Sequence, residues 1–143
     1  MATKKLKLKP RPNRISKEAM YLKIAEAVAH RSTCDRLQVG TVITDENMWS
    51  VISVGYNGNY AGGPNVCDSH EPGHCGCIHS ELNALIKPGV GKHTAFITHS
   101  PCVSCAKAII NAGIRRVYFK AKYRDISGAK LLKKAGLEVI RLA

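Results

Sequence analysis

The sequence predicts one α/β domain built on a mainly parallel β-sheet, with helices packed against its faces. Strand-like and helix-like segments alternate over residues 94–142, which is the pattern of parallel strands joined by helices. The length of 143 residues suits a single domain, and 45% hydrophobic with 22% charged residues is an ordinary globular composition. We therefore expect residues 15–143 to form one domain, preceded by a disordered basic tail at residues 1–14.

The first half of the chain contains a helix signal and a hairpin signal. Ser16 is a suitable N-cap for a helix over residues 17–31, in which apolar side chains recur at helical spacing. Residues 39–44 and 49–54 read as strands on either side of an Asp-Glu-Asn turn, so they are expected to pair as an antiparallel hairpin.

The second half is divided by glycine and proline signals. A helix starting at His79 is stopped by Pro88-Gly89. A later helix, ending at Gly113, is expected to begin with Ser100 as its N-cap and Pro101 as its first residue. The remaining predicted elements are strands at residues 94–98, 116–119 and 137–142, and a helix at residues 126–135.

The positive charge of the chain is shared between the tail and the domain. The net charge is +12, and half of it comes from the tail residues Lys4, Lys5, Lys7, Lys9, Arg11 and Arg14. Such a tail is more often a solvated arm than a specific binding element, so we do not expect a nucleic-acid partner. No apolar run approaches the roughly 18 residues of a membrane span, and no secretory signal is present. A cytoplasmic protein is therefore expected, in the host cytoplasm if the gene is phage-encoded.

Four residues form a pattern typical of an open zinc site. His79, Cys102 and Cys105 offer one imidazole and two thiols, and three such ligands leave one corner of a tetrahedral zinc for water. Glu81 follows His79 by two residues and is of the right type to move protons to and from that water. The order His-x-Glu…Pro-Cys-x-x-Cys is the signature of the zinc-dependent nucleobase deaminases.

Three other interpretations of the two thiols remain open. A redox-active cysteine pair would also lie at a helix start in a reducing compartment, but it leaves His79 and Glu81 without a role. A closed structural zinc site with a fourth protein ligand, or buried cysteines without metal, would account for the thiols alone. An open catalytic zinc site accounts for all four residues.

The loop that precedes His79 is long and rich in metal-binding side chains. After the motif Gly55-Tyr56-Asn57-Gly58, it contains Cys67, His70, His74, Cys75 and Cys77. A loop of this length in a compact domain is usually functional or held by a ligand, so metal is the expected organiser. The Asn-Gly pair by itself is equally consistent with a tight turn and with a functional asparagine.

Nearly all of residues 17–142 resembles the deoxycytidylate (dCMP) deaminases of phages and bacteria, within the cytidine-deaminase-like superfamily. The resemblance is carried by the segments 34–40, 55–58, 79–84, 100–107 and 111–114. It implies a three-layer α/β/α sandwich around a five-stranded mixed sheet, and a homo-oligomer that is often a hexamer. It also implies an enzyme that hydrolyses dCMP to dUMP and ammonia.

The resemblance also implies a role for each site residue. Zinc-bound hydroxide attacks C4 of the cytosine, while Glu81 protonates N3 and then the leaving amine. The implied zinc ligands are His79, Cys102 and Cys105. The implied substrate contacts are the Asn57 side chain with the deoxyribose hydroxyl, the Ser80 amide with the pyrimidine O2, and the Ser100 carbonyl with the exocyclic amine. Ser80 replaces the alanine usual in the family, and because the implied contact uses the backbone, we expect little effect.

A second, structural zinc is implied as well, because several relatives have one with a ligand at the position of Cys34. Its expected ligands are Cys34, Cys67, Cys75 and Cys77, with His70 or His74 as alternates to one thiol. Unliganded loop thiols are the alternative. For the substrate phosphate, we hypothesise a contact with at least one of the basic residues Arg36, Lys107 and Arg124.

Two competing functions share part of this pattern. A nucleic-acid deaminase acting on tRNA adenosine or on cytosine would use the same zinc chemistry and fits a basic chain. The Gly-Tyr-Asn-Gly motif is not expected in such an enzyme. A non-catalytic zinc-binding module would have no use for Glu81.

Overall fold

The computed structural model describes residues 3–142, which form four helices and five strands. In chain order these are α1 (Lys17–Ala29), β1 (Gly40–Asp45), β2 (Val51–Tyr56), α2 (Ser80–Leu85), β3 (His93–His99), α3 (Val103–Asn111), β4 (Arg116–Ala121), α4 (Ser127–Lys134) and β5 (Glu138–Arg141). None of these helices is both long and apolar enough to cross a lipid bilayer.

The five strands form one mixed sheet in the order β2-β1-β3-β4-β5. β1 runs antiparallel to β2 and to β3, whereas β4 runs parallel to β3 and to β5. The five-stranded mixed sheet and the hairpin are therefore confirmed. The mainly parallel sheet expected from residues 94–142 describes only the β3-β4-β5 half.

Neighbouring residues of a strand point to opposite faces of the sheet. Both faces carry apolar side chains, and helices cover both. On one face, Ile43 and Ile97 pack in a buried cluster that also includes residues of α2, α3 and α4. On the other face, Val42 and Phe96 pack against α1. The result is the expected three-layer sandwich, in which α1 is the one helix of the described residues on the second face.

One predicted helix start is wrong. Ser16 caps α1 as expected, since its Oγ accepts the Ala19 N–H at 3.1 Å. The N-cap of α3, however, is Cys102 rather than Ser100. The Ser100 N–H donates to Ala121 O at 2.9 Å and its Oγ accepts the Tyr123 N–H at 2.7 Å. These bonds hold Ser100 against Ala121 at the end of β4 and against Tyr123. Ser100 therefore does not cap the helix, and α3 begins at Val103.

Candidate functional site

Two helix N-termini bring the predicted zinc ligands together. His79 is the N-cap of α2 and Cys102 is the N-cap of α3. His79 Nδ1 lies 3.2 Å from Cys105 Sγ and 3.5 Å from Cys102 Sγ. A tetrahedral zinc with nitrogen at about 2.0 Å and sulfur at about 2.3 Å separates such atoms by about 3.5 Å. The donor set and its spacing therefore fit zinc.

The electrostatics of this cluster favour anionic sulfur. The Cys102 Sγ accepts the Cys105 N–H at 3.5 Å, so the side chain caps its own helix. Hydrogen bonds from Cys105 and His79 lower the pKa of the Cys102 thiol to about 4. The hydrogen bond to Cys102, together with burial, raises the pKa of Cys105. At least one thiolate is thus present at neutral pH, as a metal cation requires.

Glu81 is buried beside the cluster, in the first turn of α2. Its side chain is 5% exposed, and Oε1 accepts the Ser80 hydroxyl at 2.9 Å. Burial raises the pKa of the Glu81 carboxyl, against hydrogen bonds from Cys105 and Ser80 that lower it. A carboxyl shifted in this direction is suited to take up and release protons near neutral pH.

A cavity of about 500 Å³ joins these groups to solvent. That volume lies in the range of small-molecule pockets, roughly 300–1,000 Å³. The three residues expected to contact a substrate, Asn57, Ser80 and Ser100, all line it. Its other lining residues are Cys34, Arg36, Leu37, Val39, Cys75, Cys77, His79, Glu81, His99, Cys102, Ala121, Lys122, Tyr123 and Arg124.

The Asn57 side chain ties the loop before β1 to the end of β2. Its Oδ1 accepts the Val39 N–H at 2.9 Å and the Ser32 hydroxyl at 2.6 Å, and its Nδ2 donates to Leu37 O at 2.8 Å. A side-chain amide has two N–H donors, so these bonds leave one that a ligand in the cavity can use. Asn57 therefore has a structural role that does not exclude the predicted substrate contact.

The four other cysteines gather next to the cavity. The Cys67 Sγ lies 3.5 Å from Cys34 Sγ and 3.8 Å from Cys77 Sγ. The sulfurs of Cys34, Cys75 and Cys77 lie within 4.8 Å of one another. Sulfur ligands of one tetrahedral zinc are about 3.8 Å apart, so the spacing of Cys34, Cys75 and Cys77 fits a metal ion, with Cys67 adjoining through Cys34 and Cys77. The Asp35 Oδ1 lies 3.3 Å from Cys67 Sγ and is a further candidate metal-ligand atom that the sequence did not suggest.

The two loop histidines lie outside this thiol cluster. His70 Nε2 is 2.9 Å from Asp35 Oδ2, and His74 Nδ1 is 3.7 Å from Glu71 Oε2. Both histidine side chains are more than 70% exposed. Of the ligand sets left open by the sequence, the geometry favours four thiols over a set that includes a histidine.

Comparison with known proteins now places this geometry in a family. Residues 15–121 match the sequence model described as the cytidine and deoxycytidylate deaminase zinc-binding region. The chain belongs to this family. It is 39% identical over 137 residues to ComE operon protein 2 of Bacillus subtilis, covering 88% of this chain and 71% of that protein. It is 36% identical over 141 residues to the deoxycytidylate deaminase of Saccharomyces cerevisiae, covering 88% of this chain but only 45% of the yeast protein.

Solved structures of this family share the fold. The dCMP deaminase of cyanophage S-TIM5, in complex with dCMP and dUMP, superposes with a TM-score of 0.80 at 31% identity. The match covers 94% of this chain and all of the phage chain. A tRNA:A34 deaminase structure is 18% identical with a TM-score of 0.62, which establishes a common fold alone.

The sequence did not indicate all of the basic residues that line the cavity. Of the three basic residues considered for the substrate phosphate, Arg36 and Arg124 line the cavity, whereas Lys107 is exposed on α3 and does not. Lys122 lines it and was not anticipated. The predicted strand order could have placed Lys122 at the cavity. β3 and β4 are parallel, so the residues that follow β4 lie beside those that follow β3.

Proposed function

We propose that this protein hydrolyses dCMP to dUMP and ammonia. The observation that carries the proposal is the buried Glu81 carboxyl beside the cluster of His79, Cys102 and Cys105, at a cavity of nucleotide size. The family match and the likeness to a phage dCMP deaminase support it.

In this proposal the protein residues hold the metal and move the protons. His79, Cys102 and Cys105 would hold the zinc, which would lower the pKa of a bound water to about 7 and so provide a nucleophile at neutral pH. Glu81 accepts a proton at a carboxylate oxygen, then delivers it to N3 of the pyrimidine. It then takes the second proton of the former water from the hydroxyl on C4 and delivers it to the exocyclic nitrogen. The C4–N bond breaks as the C4 carbonyl forms, so one water is consumed and one ammonia is released.

The base and sugar are held by groups that line the cavity. The remaining Asn57 N–H donates to the deoxyribose hydroxyl, the Ser80 N–H donates to the pyrimidine O2, and the Ser100 carbonyl accepts from the exocyclic amine. These roles are supported by the position of all three residues in the cavity lining. The backbone groups of Ser80 and Ser100 belong to segments that adjoin the zinc ligands, which fixes the base relative to the metal.

The substrate phosphate is bound by the cations that line the cavity. Arg36, Lys122 and Arg124 are exposed and line the same cavity as Glu81. A phosphate dianion is best recognised by guanidinium and ammonium groups, and Arg can bind two of its oxygens at once. This arrangement favours a nucleotide over a nucleoside as substrate.

A second zinc with a structural role is bound by Cys34, Cys67, Cys75 and Cys77. The sulfur–sulfur distances support this ligand set, as do the contacts of His70 with Asp35 and of His74 with Glu71, which lie outside the thiol cluster. Burial raises the pKa of the Cys34 thiol, but the backbone hydrogen bonds from Leu37 and Arg36 and the contacts with Cys67 and Cys77 together lower it below its usual value, which suits a metal ligand. The metal would join the loop that precedes α2 to the segment that precedes β1.

The chain works as a homo-oligomer in the cytoplasm, and a hexamer is the assembly that we propose. Three apolar side chains are exposed in the edge strand β2 and just before it: Trp49 is 74% accessible, Val51 44% and Ile52 41%. Exposed apolar side chains at a sheet edge are typical of a surface covered by another subunit. Reduced cysteine ligands and free nucleotides both suit the cytoplasm. Light scattering of the purified protein tests the assembly.

A substrate panel tests the proposed reaction. Ammonia release is followed with dCMP, deoxycytidine, dCTP and a tRNA anticodon stem-loop at equal concentrations. The proposal predicts that dCMP has the highest kcat/KM and that the stem-loop is not processed. Preferential turnover of the stem-loop would assign the site to nucleic acid, and no turnover of any of the four would favour a non-catalytic zinc module.

A further inference from the structure

A chain of two buried hydroxyl groups ends on the Glu81 carboxylate. The Thr41 Oγ1 lies 2.8 Å from the Ser80 Oγ, and the Ser80 Oγ lies 2.9 Å from Glu81 Oε1. Ser80 is fully buried, Thr41 is 1% exposed and Glu81 is 5% exposed. None of the roles described so far uses these two hydroxyls. The expectation that serine in place of the family's usual alanine has little effect considered only the backbone contact of Ser80 with the substrate, and the side-chain contact with Glu81 changes it.

The direction of both hydrogen bonds follows from the proton count. A serine hydroxyl has one proton, and Ser80 donates it to the carboxylate oxygen. The bond between the two hydroxyls must then be donated by Thr41 and accepted by Ser80. Donation from Thr41 polarises the Ser80 hydroxyl and strengthens its bond to the carboxylate.

The contact depends on how closely α2 approaches the β1-β2 hairpin. Thr41 pairs with Gly55 across the two strands. A Cβ on Gly55 would lie 2.5 Å from the carbonyl oxygen of Ser80 and 2.5 Å from the N of Ala84, so only glycine permits this approach. The first turn of α2 is thereby held against β1, and Ser80 reaches Thr41.

We propose that Thr41 and Ser80 are positioning residues for Glu81. Their hydrogen-bonded chain fixes Oε1 and orients the carboxylate, which leaves Oε2 to exchange protons with water and substrate. The inference rests on the proposed role of Glu81 as the proton-transferring group. A carboxylate freed from Ser80 would keep its contact with Cys105 but would be less firmly oriented, and a displacement of about 1 Å is enough to slow proton transfer.

The test separates turnover from binding. We expect Ser80→Ala to lower kcat for dCMP about 10-fold, and Thr41→Val to lower it about 3- to 5-fold, because Thr41 acts only through Ser80. KM for dCMP, the Kd for dUMP and the zinc content should stay at wild-type values in both variants. Thr41→Ser, which keeps the hydroxyl, should restore the wild-type kcat.

Two control variants remove equally buried hydroxyls elsewhere. Ser53 is 5% exposed and donates to Ala84 O at 2.7 Å, so Ser53→Ala removes a hydroxyl that also contacts α2 but not Glu81. Thr44 is on the same strand as Thr41 and is fully buried, so Thr44→Val is its matched control. Both control variants should keep the wild-type kcat, even if their Tm decreases.

The double variant Ser80→Ala with Thr41→Val identifies the connection between the two hydroxyls. If Thr41 acts through Ser80, the double variant has the kcat of Ser80→Ala alone. Losses of kcat that add in the double variant would show that Thr41 does not act through Ser80 and would overturn the inference. A wild-type kcat in both single variants would overturn the inference while leaving the proposed function intact. If Glu81→Gln also keeps the wild-type kcat, the proposed function itself fails.

Discussion

His79 Nδ1 lies 3.2 Å from Cys105 Sγ, although the two residues are 26 positions apart in the chain. The contact exists because the N-terminus of α2 meets the N-terminus of α3, each with a donor residue at its cap. Both helices pack on the same face of the sheet, in the cluster that contains Ala84 and Ala106. The relative position of the proposed metal ligands is therefore set by the hydrophobic core.

The thiol cluster predicts the metal content of the protein. We expect about two zinc ions per chain, and about one in Cys77→Ser, with a lower Tm because binding at a closed site contributes to folding stability. Cys105→Ser should lose the other ion and the activity. Elemental analysis with thermal unfolding measures both quantities. One zinc per chain in the wild type, unchanged in Cys77→Ser, would rule out the second site.

The cationic lining of the cavity predicts selective recognition of the phosphate. Arg124→Ala should lower kcat/KM for dCMP about 10-fold or more while leaving deoxycytidine turnover unchanged, since an ionic hydrogen bond is lost. Lys122→Ala and Arg36→Ala should act in the same direction. Lys107→Ala, an exposed cation outside the cavity lining, is the matched control. Equal losses for nucleotide and nucleoside would contradict a phosphate contact.

The close approach of α4 to Cys102, a proposed zinc ligand, predicts a strict requirement for glycine at position 128. A Cβ on Gly128 would collide with the carbonyl oxygen of Pro101 and lie 2.7 Å from the carbonyl carbon and oxygen of Cys102. Gly128→Ala should therefore displace Cys102 and lower both zinc affinity and kcat, about 10-fold or more.

Gly136→Ala is the control for that substitution. Gly136 has a φ of +92° and no atom within 4 Å of a built Cβ, so alanine there adds backbone strain of about 1 kcal/mol without touching the site. Chelator competition and steady-state kinetics measure both variants. Wild-type zinc affinity in Gly128→Ala, or equal losses in the two variants, would show that α4 does not position Cys102.

Removal of the basic tail should have little effect on catalysis. The family match begins at residue 15, and all tail residues that the structure describes are exposed. Deleting residues 2–14 should leave kcat/KM for dCMP within about threefold, with only a modest dependence on salt. A polymer substrate would instead require many phosphate contacts and a steep salt dependence. Strong oligonucleotide turnover that is lost with the tail would contradict the nucleotide assignment.

The proximities within the candidate site that the sequence predicted follow from short spacing. The spacing of His79 and Glu81, and of Cys102 and Cys105, places each pair within one helix turn whatever the rest of the fold does. The helix and strand order followed from hydrophobic periodicity for the same reason.

The parts that the sequence missed depend on contacts between distant segments. The wrong N-cap at Ser100 arose because a Ser-Pro start is a local signal, whereas Ser100 is held by Ala121 and Tyr123. The bond between Thr41 and Ser80 joins residues 39 positions apart and requires the register of the β1-β2 pair. No local pattern encodes either contact.

The rate of dUMP formation by Glu81→Gln tests the central claim most directly. Glutamine has nearly the same shape and can still accept the Ser80 hydroxyl, but it cannot carry a proton between water and base. We predict that the variant has the zinc content and Tm of the wild type and forms dUMP from dCMP at least about 10³-fold more slowly. A fully zinc-loaded variant that turns over dCMP at the wild-type rate would contradict the account.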